Sequence, residues 1–163
     1  MDKILNIDQA IKISKKLRAA GKTIVLAGGS FDILHVGHIE FLQQAKNQGD
    51  YLFVLLESDE TVKTIKGEYR PINTQEDRAK ILSSLHMIDY VLLLPRFKND
   101  NDYDNLVSEI KPAIIATTVG DPGRKHKERQ AALVKANLVD VIERIPEKST
   151  SRLAKLIFEK FNL

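Results

Sequence analysis

Residues 23–56 read TIVLAGGSFDILHVGHIEFLQQAKNQGDYLFVLL, and this stretch decides the fold. TIVLA (23–27) is a short apolar, β-rich run, the composition of a buried strand. HIEFLQQAKNQ (38–48) carries Ile39, Leu42 and Ala45 at helical spacing and stops at Gly49. YLFVLL (51–56) is a second buried strand. Between the first strand and the helix lies GGSFDILHVGH (28–38), with two glycines, an aspartate and two histidines. Gly28 and Gly29 let a backbone approach a ligand. A helix starting near Val36 to His38 offers unpaired amides and a positive dipole end, which favour an anion. His35 and His38, three apart at that start, can point to one place and donate hydrogen bonds as charge builds on a phosphate oxygen. Gly37 removes a side chain where a ligand would pass. The turn therefore reads as one that handles the phosphates of a nucleotide. A metal site is the weaker reading, since no Cys, Asp or Glu stands at a matching spacing nearby. Each histidine taken alone could as well cap or pack the helix.

The rest of the chain repeats the alternation. Helices are predicted over 8–20 (stopping at Gly21), 74–86 (with Thr74 and Asp77 as a capping box behind Pro71), 103–110, 124–136 and 150–161 (capped by Ser149 or Thr150). Strands are predicted over 89–94 and 113–118, with a strand-like run at 139–145. Apolar strands alternating with helices imply a doubly wound, Rossmann-like α/β domain: a parallel sheet of about five strands with helices on both faces. Such sheets bind ligands beyond the carboxyl ends of their strands. Residues 28–38, 57–70 and 117–123 follow strands and share that edge, joined by Ser149 and Thr150.

A chain of 163 residues suits a single domain, 1–163. The formal charge is +3, and no run of Lys or Arg is long enough to read as a nucleic-acid arm. There is no cysteine, which excludes disulfides, thiolate zinc sites and thiol catalysis. Acids and lysines break up MDKILNIDQAIKISKK before it can resemble a signal peptide, and no apolar run approaches membrane-spanning length. A cytoplasmic protein with neither nucleic-acid nor membrane partners is expected.

GSFDILHVGH (29–38) matches the Gly-x-Phe-Asp-x-x-His-x-Gly-His signature, and on it the chain resembles the cytidylyltransferase-like nucleotidyltransferases. ESDETVKTIKGEYRPINTQEDRAKIL (57–82) resembles the adenylyltransferase domain of ADP-heptose synthases, which carries Lys-Gly-x-x-Arg-Pro-x-Asn and a following Arg-bearing helix. RIPEKSTS (144–151) is similar to the Arg-x-x-x-x-Ser-Thr-Thr pattern of glycerol-3-phosphate cytidylyltransferase, with Ser151 in place of the last Thr.

The resemblance implies attack of an acceptor phosphate on the α-phosphorus of a nucleoside triphosphate, with release of pyrophosphate. It implies that His35 and His38 contact the triphosphate, while Gly28, Gly29, Ser30 and Phe31 shape the nucleotide site. Lys66 aligns with the heptose-family lysine, and Arg70 and Arg78 with family arginines. Arg78, near a helix start where a cation is disfavoured, needs either a phosphate or a buried acid, with Glu76 and Asp77 the nearest. Asp32 either orients the acceptor or holds the turn, and Lys63 either meets phosphate or is a surface lysine. Ser149 and Thr150 would receive the β- and γ-phosphates, or simply cap their helix; Arg144 keeps its spacing to them. Gly120 and Asp121 keep part of a Gly-Gly-Asp segment, in a stretch that matches neither branch cleanly. Mg2+ is expected on the phosphates, without a carboxylate cage. The middle segment favours ATP, and the tail is compatible with CTP. The acceptor expected is a heptose 1-phosphate-like sugar or glycerol 3-phosphate. Alternatives are phosphopantetheine, flavin mononucleotide or nicotinate mononucleotide, or a regulatory module that binds nucleotide without turnover. A homodimer is the family expectation.

Overall fold

The structure is a computed structural model that describes residues 2–143 and 150–161. Its elements run β1 (Ile4–Leu5), α1 (Ile7–Ala19), β2 (Ile24–Gly29), α2 (Val36–Lys46), β3 (Tyr51–Leu56), α3 (Asp59–Lys66), α4 (Gln75–Ser83), β4 (Tyr90–Leu93), α5 (Asp100–Ile110), β5 (Ile114–Val119), α6 (Arg124–Val134), β6 (Asn137–Glu143) and α7 (Thr150–Phe161). The strands form one parallel sheet in the order β1-β4-β3-β2-β5-β6. From β2 the chain steps outward to β3 and β4, then returns to lay β5 on the other side of β2. The direction of winding reverses between β2 and β5, which opens a crevice at their carboxyl ends.

Apolar strands divide their side chains between two cores because successive residues point to opposite faces. Val25, Ala27, Leu52 and Val54 pack with Phe41 and Leu42 of α2 and with Ala79 and Leu82 of α4. Ile24, Leu26, Phe53 and Leu55 pack with Ala10 of α1, with Leu106, Val107 and Ile110 of α5, and with Ala131 of α6. Helices therefore cover both faces, as the sequence predicts.

Two expectations need correction. The sheet has six strands rather than five. The added strand, β1, is two residues long and pairs Ile4 and Leu5 with Val91 and Leu92. Two residues are too few to show a period, and the strand is legible only through its partner. The segment 57–70 after β3, for which no helix is predicted, contains the helix α3, in which Val62 is the buried residue. The Ser58 hydroxyl caps it by accepting from the Thr61 amide at 3.2 Å. Other boundaries move by a few residues, each toward a capping side chain where one exists. Asn6 and Gln9 form a capping box that starts α1 at Ile7. Asn99 caps α5 and extends it back to Asp100. At α4, the Thr74 hydroxyl accepts from the Asp77 amide and donates to the Asp77 carboxylate at 2.8 Å, so the expected pairing is present.

Gly49 fixes how the end of α2 meets the start of β2. A Cβ there would lie 2.8 Å from both Thr23 Cγ2 and Val25 Cγ2. The neighbouring backbone is pinned as well: Asp50 and Tyr51 amides donate to the Thr23 carbonyl at 3.0 and 3.1 Å. Gly49→Ala is expected to destabilise the fold by about 1–3 kcal/mol, the usual cost of overpacking. Denaturant unfolding measures this, and an unchanged midpoint would show that the contact yields freely.

Candidate functional site

β2 ends at Gly29, and the chain then turns over the carboxyl edge of the sheet. At Phe31 the backbone takes φ 45°, a left-handed conformation that a bulky residue rarely adopts. Its ring is buried and meets the His38 ring edge-on, with centroids 5.3 Å apart. A Cβ on Gly29 would sit 3.0 Å from that ring, so the glycine makes room for Phe31. At Gly28 a Cβ would meet Leu55 at an ordinary 3.6 Å, so the protein itself does not require glycine there. Gly28 lines the cleft, where a side chain would intrude on a ligand.

The turn is braced from behind by two buried charges. The Asp32 carboxylate accepts from Arg70 Nε at 2.6 Å and from the Ile72 and Asn73 amides at 2.9 Å. Burial alone would raise its pKa, but the two amides and the Arg70 guanidinium outweigh it and hold the group below its ordinary value. Arg78 is fully buried. Its guanidinium donates to the Ser30 carbonyl, to the Glu57 carbonyl at 2.9 Å, to the Asn73 carbonyl at 3.1 Å and to the Asp59 carboxylate at 2.7 Å. Of the two partners expected for Arg78, phosphate or a buried acid, the structure supplies the acid. It is Asp59 at the start of α3, not Glu76 or Asp77. Arg78 and Arg70 thus stand behind the cleft wall, with Asp32 holding the turn.

In front of that wall, His35 is the N-cap residue of α2 and His38 lies in its first turn. Their rings stack with centroids 3.8 Å apart and planes inclined by 24°. No side chain closes the start of the helix; the His38 amide donates to the His35 carbonyl at 2.9 Å, which leaves the amides of Val36 and Gly37 available. His38 Nδ1 is buried and has no hydrogen-bond partner among the described residues. Burial, the charge of His35 and the charge of Lys66, in that order, lower the His38 pKa to about 4. Lys66 reaches the same cleft from the end of α3. Partial desolvation and the Arg70 and Arg78 cations lower its pKa, with Asp32 opposing them.

The cleft has a volume of about 760 Å³ and crosses the carboxyl ends of β2, β3 and β5. Gly28, Gly29, Ser30, Phe31, His35, Gly37, His38, Lys66 and Asp121 line it, so these nine sequence-named positions come together. Asp121 accepts from Lys127 Nζ at 2.6 Å, from Thr117 Oγ1 at 2.8 Å and from the Gly123 amide at 2.7 Å. Burial works against it, yet these partners keep its pKa low. Gly120 sits just before it at φ +75° and shapes the turn. Lys63 points elsewhere: it is 54% exposed and pairs with Glu68 at 3.0 Å. Arg144 and Ser149 lie outside the described residues, as does the side chain of Thr150, the first residue of α7. Sequence reasoning missed Glu57 and Tyr103, which also line the cleft. Glu57 is the first residue after β3, so its position at the sheet edge was an available signal. Tyr103 lies within the first turns of α5, and nothing in its spacing marks it.

Comparison with known proteins agrees with this geometry. The sequence profile of the cytidylyltransferase-like family matches residues 26–156. The bifunctional protein HldE of Wolinella succinogenes is 40% identical over 156 residues, which is 96% of this chain and 31% of that protein. HldE of Geobacter sulfurreducens is 34% identical over 164 residues, covering 98% and 32% respectively. The chain thus spans about a third of the length of these curated relatives. Among solved structures, the lipopolysaccharide core biosynthesis protein of Thermoplasma volcanium superposes with a TM-score of 0.64 at 30% identity, over 76% of this chain and 99% of that one. A pantoate-β-alanine ligase from Francisella tularensis, complexed with β,γ ATP and β-alanine, gives 0.67 over 95% and 73%; at 17% identity it shares the fold.

Two outcomes test the local chemistry. Without ligand, His38 is expected to stay neutral from pH 8 down to about 5, seen as an invariant imidazole signal by NMR. A midpoint near 6.5 would mean that the ring is solvated. Asp32→Asn is expected to lose on the order of 3 kcal/mol at pH 7, as breaking a buried pair does. The wild-type contribution is present above the unfolded-state pKa and is lost as pH falls below about 4, because the folded pKa is the lower one. The variant's acid limb in pH-dependent unfolding should therefore be shallower, and a limb parallel to wild type would exclude this role.

Proposed function

The chain belongs to the cytidylyltransferase-like family of nucleotidyltransferases, and from that premise we propose that it transfers AMP, in preference to CMP, from a nucleoside triphosphate to a sugar 1-phosphate of the heptose class. One observation carries the site assignment. The open start of α2, the neutral His38 imidazole and the pKa-lowered Lys66 converge on one cleft, and a polyphosphate would engage all three.

In this reading an oxygen of the acceptor phosphate attacks the α-phosphorus in line. The bond to the β-phosphate breaks, and pyrophosphate leaves with the electron pair. The acceptor phosphate is already ionised, so no general base is required, and catalysis consists of positioning and charge stabilisation. A neutral His38 donates one hydrogen bond to the phosphates without repelling Lys66. Burial lowers the Lys66 pKa first, and incoming phosphate charge would counter the added influence of Arg70 and Arg78, which favours the ammonium form. Gly28, Gly29, Ser30 and Phe31 form the floor under the nucleotide, and Gly120 and Asp121 shape the far wall. Ser149 and Thr150, with Arg144 nearby, are assigned the β- and γ-phosphates on their resemblance to the glycerol-3-phosphate pattern. Magnesium would enter on the triphosphate. The donors at the start of α2 are nitrogens suited to phosphate oxygens, and no group of three or more His, Cys, Asp or Glu among the described residues is placed to hold a metal. The ion would neutralise phosphate charge as it is transferred.

The choice of ATP and a heptose phosphate rests on segment 57–82 and on the HldE relatives. The Thermoplasma protein, described as acting in lipopolysaccharide core biosynthesis, agrees with a sugar acceptor. No helix among the described residues is long and apolar enough to cross a membrane. A homodimer working in the cytoplasm, as one 1–163 domain, is the arrangement we infer.

Pyrophosphate release tests the reading, with ATP and CTP each offered to heptose 1-phosphate, glycerol 3-phosphate, phosphopantetheine, flavin mononucleotide and nicotinate mononucleotide. Release is expected with ATP and heptose 1-phosphate, and His38→Ala should lower it by about 100- to 1,000-fold. Near wild-type turnover in that variant would overturn the site. Silence with every acceptor, while ATP still binds, would identify a nucleotide-sensing module.

A further inference from the structure

The cleft carries a carboxylate that the transfer chemistry does not use. Glu57 follows β3 directly and lines the cleft between the sheet edge and α5. Its backbone is fixed from behind, because Arg78 Nη2 donates to its carbonyl at 2.9 Å. Its side chain is fixed from the front, because the Tyr103 hydroxyl donates to Oε2 at 2.9 Å. That donor is itself aimed. The Ser58 hydroxyl donates to Thr61 Oγ1 at 3.0 Å, and the Thr61 side chain acts on the Tyr103 hydroxyl from the other side. The Tyr103 proton points at Glu57, its acceptor. The second oxygen, Oε1, has no protein donor among the described residues.

A half-buried carboxylate is a poor neighbour for phosphate, since like charges repel more strongly where water is scarce. It is not needed as a base either, because the attacking phosphate is already ionised. What remains for an oriented acceptor oxygen with a vacant lone pair is a neutral donor, and the donors of a sugar phosphate are its hydroxyls. The cleft is thus divided by charge. His35, His38, Lys66 and the start of α2 make a phosphate side, and Glu57 with Tyr103 makes an acidic side, next to an Asp100 that pairs with Arg129 at 3.0 Å. Burial raises the Glu57 pKa, and Tyr103 and Arg78 offset only part of that rise.

We propose that Glu57, aimed by Tyr103, is the hydroxyl-reading subsite for the acceptor, selecting a polyhydroxylated sugar phosphate and rejecting acceptors that bring a second negative charge to that position. This rests on the nucleotidyl-transfer reading given above. Glu57 binds the acceptor, and Tyr103 acts through Glu57 as a positioning residue.

Steady-state kinetics with ATP and heptose 1-phosphate tests it, using wild type, Glu57→Gln and Tyr103→Phe, each with its melting temperature recorded. Glu57→Gln is expected to raise KM for heptose 1-phosphate by about tenfold or more, the loss of one charge-assisted hydrogen bond. KM for ATP should stay within about twofold. Tyr103→Phe should move the acceptor KM in the same direction by less. Monodeoxy heptose 1-phosphates give a readout that mere structural support would not move. The analogue lacking the recognised hydroxyl should bind wild type about tenfold more weakly and carry no further penalty in Glu57→Gln. Unchanged acceptor KM in Glu57→Gln, or additive penalties with every deoxy analogue, would overturn the subsite alone. Absence of product from the wild-type protein with ATP and heptose 1-phosphate would overturn the assigned reaction, and the subsite with it.

Discussion

Much of this structure depends on one buried guanidinium. Arg78 reaches from α4 under the carboxyl edge of the sheet and donates to the turn after β2, the end of β3, the first residue of α3 and the segment that leads into α4. Burying a cation costs several kcal/mol unless its donors are matched, and here three carbonyls and a carboxylate match them. The bonded groups belong to loops that would otherwise have little to hold them at a common height. Asp32 does the same work with opposite sign, collecting Arg70 and two backbone amides. These two charges convert four separate connections into a rigid rim on which a ligand site can be built.

The rim holds its ligand-facing groups in an unsatisfied state. His38 is kept neutral, the first turn of α2 is left open, and Lys66 is held beside other cations. The left-handed backbone at Phe31 adds local strain that the surrounding packing must sustain. Taken singly, each feature is a small loss of stability. Together they suit the polyphosphate proposed for the cleft, because a dense anion would relieve them all at once. The pressure on stability is met in the two cores, where the strand residues of β2 and β3 are almost wholly buried.

The sheet was legible because its central strands are apolar on both faces, and the turn at its edge because Gly, Asp and His crowd into 28–38. The two-residue strand β1 was not, since a pairing made by partner choice leaves no local period. The helix α3 was hidden by composition: it is short, mostly polar, and known chiefly by its Ser58 cap. The site was legible where residues are close in sequence, as with His35 and His38. It was illegible where tertiary contact decides. Nothing near Arg78 indicates that its acid is Asp59, and Tyr103 gains meaning only when α5 is laid against the end of β3.

The two sides of the cleft hang from different parts of the chain. The phosphate side is built within one βα turn and the last residue of α3, whereas the acidic side comes from the residue after β3 and a single face of α5. On the proposed assignment, substitutions in α5 would alter what is accepted without disturbing how the triphosphate is held. A scaffold divided in this way can change clientele by small steps, each intermediate retaining its reaction. Diversity among descendants of such a chain should gather on α5 and its contacts while the glycine–histidine turn stays the same.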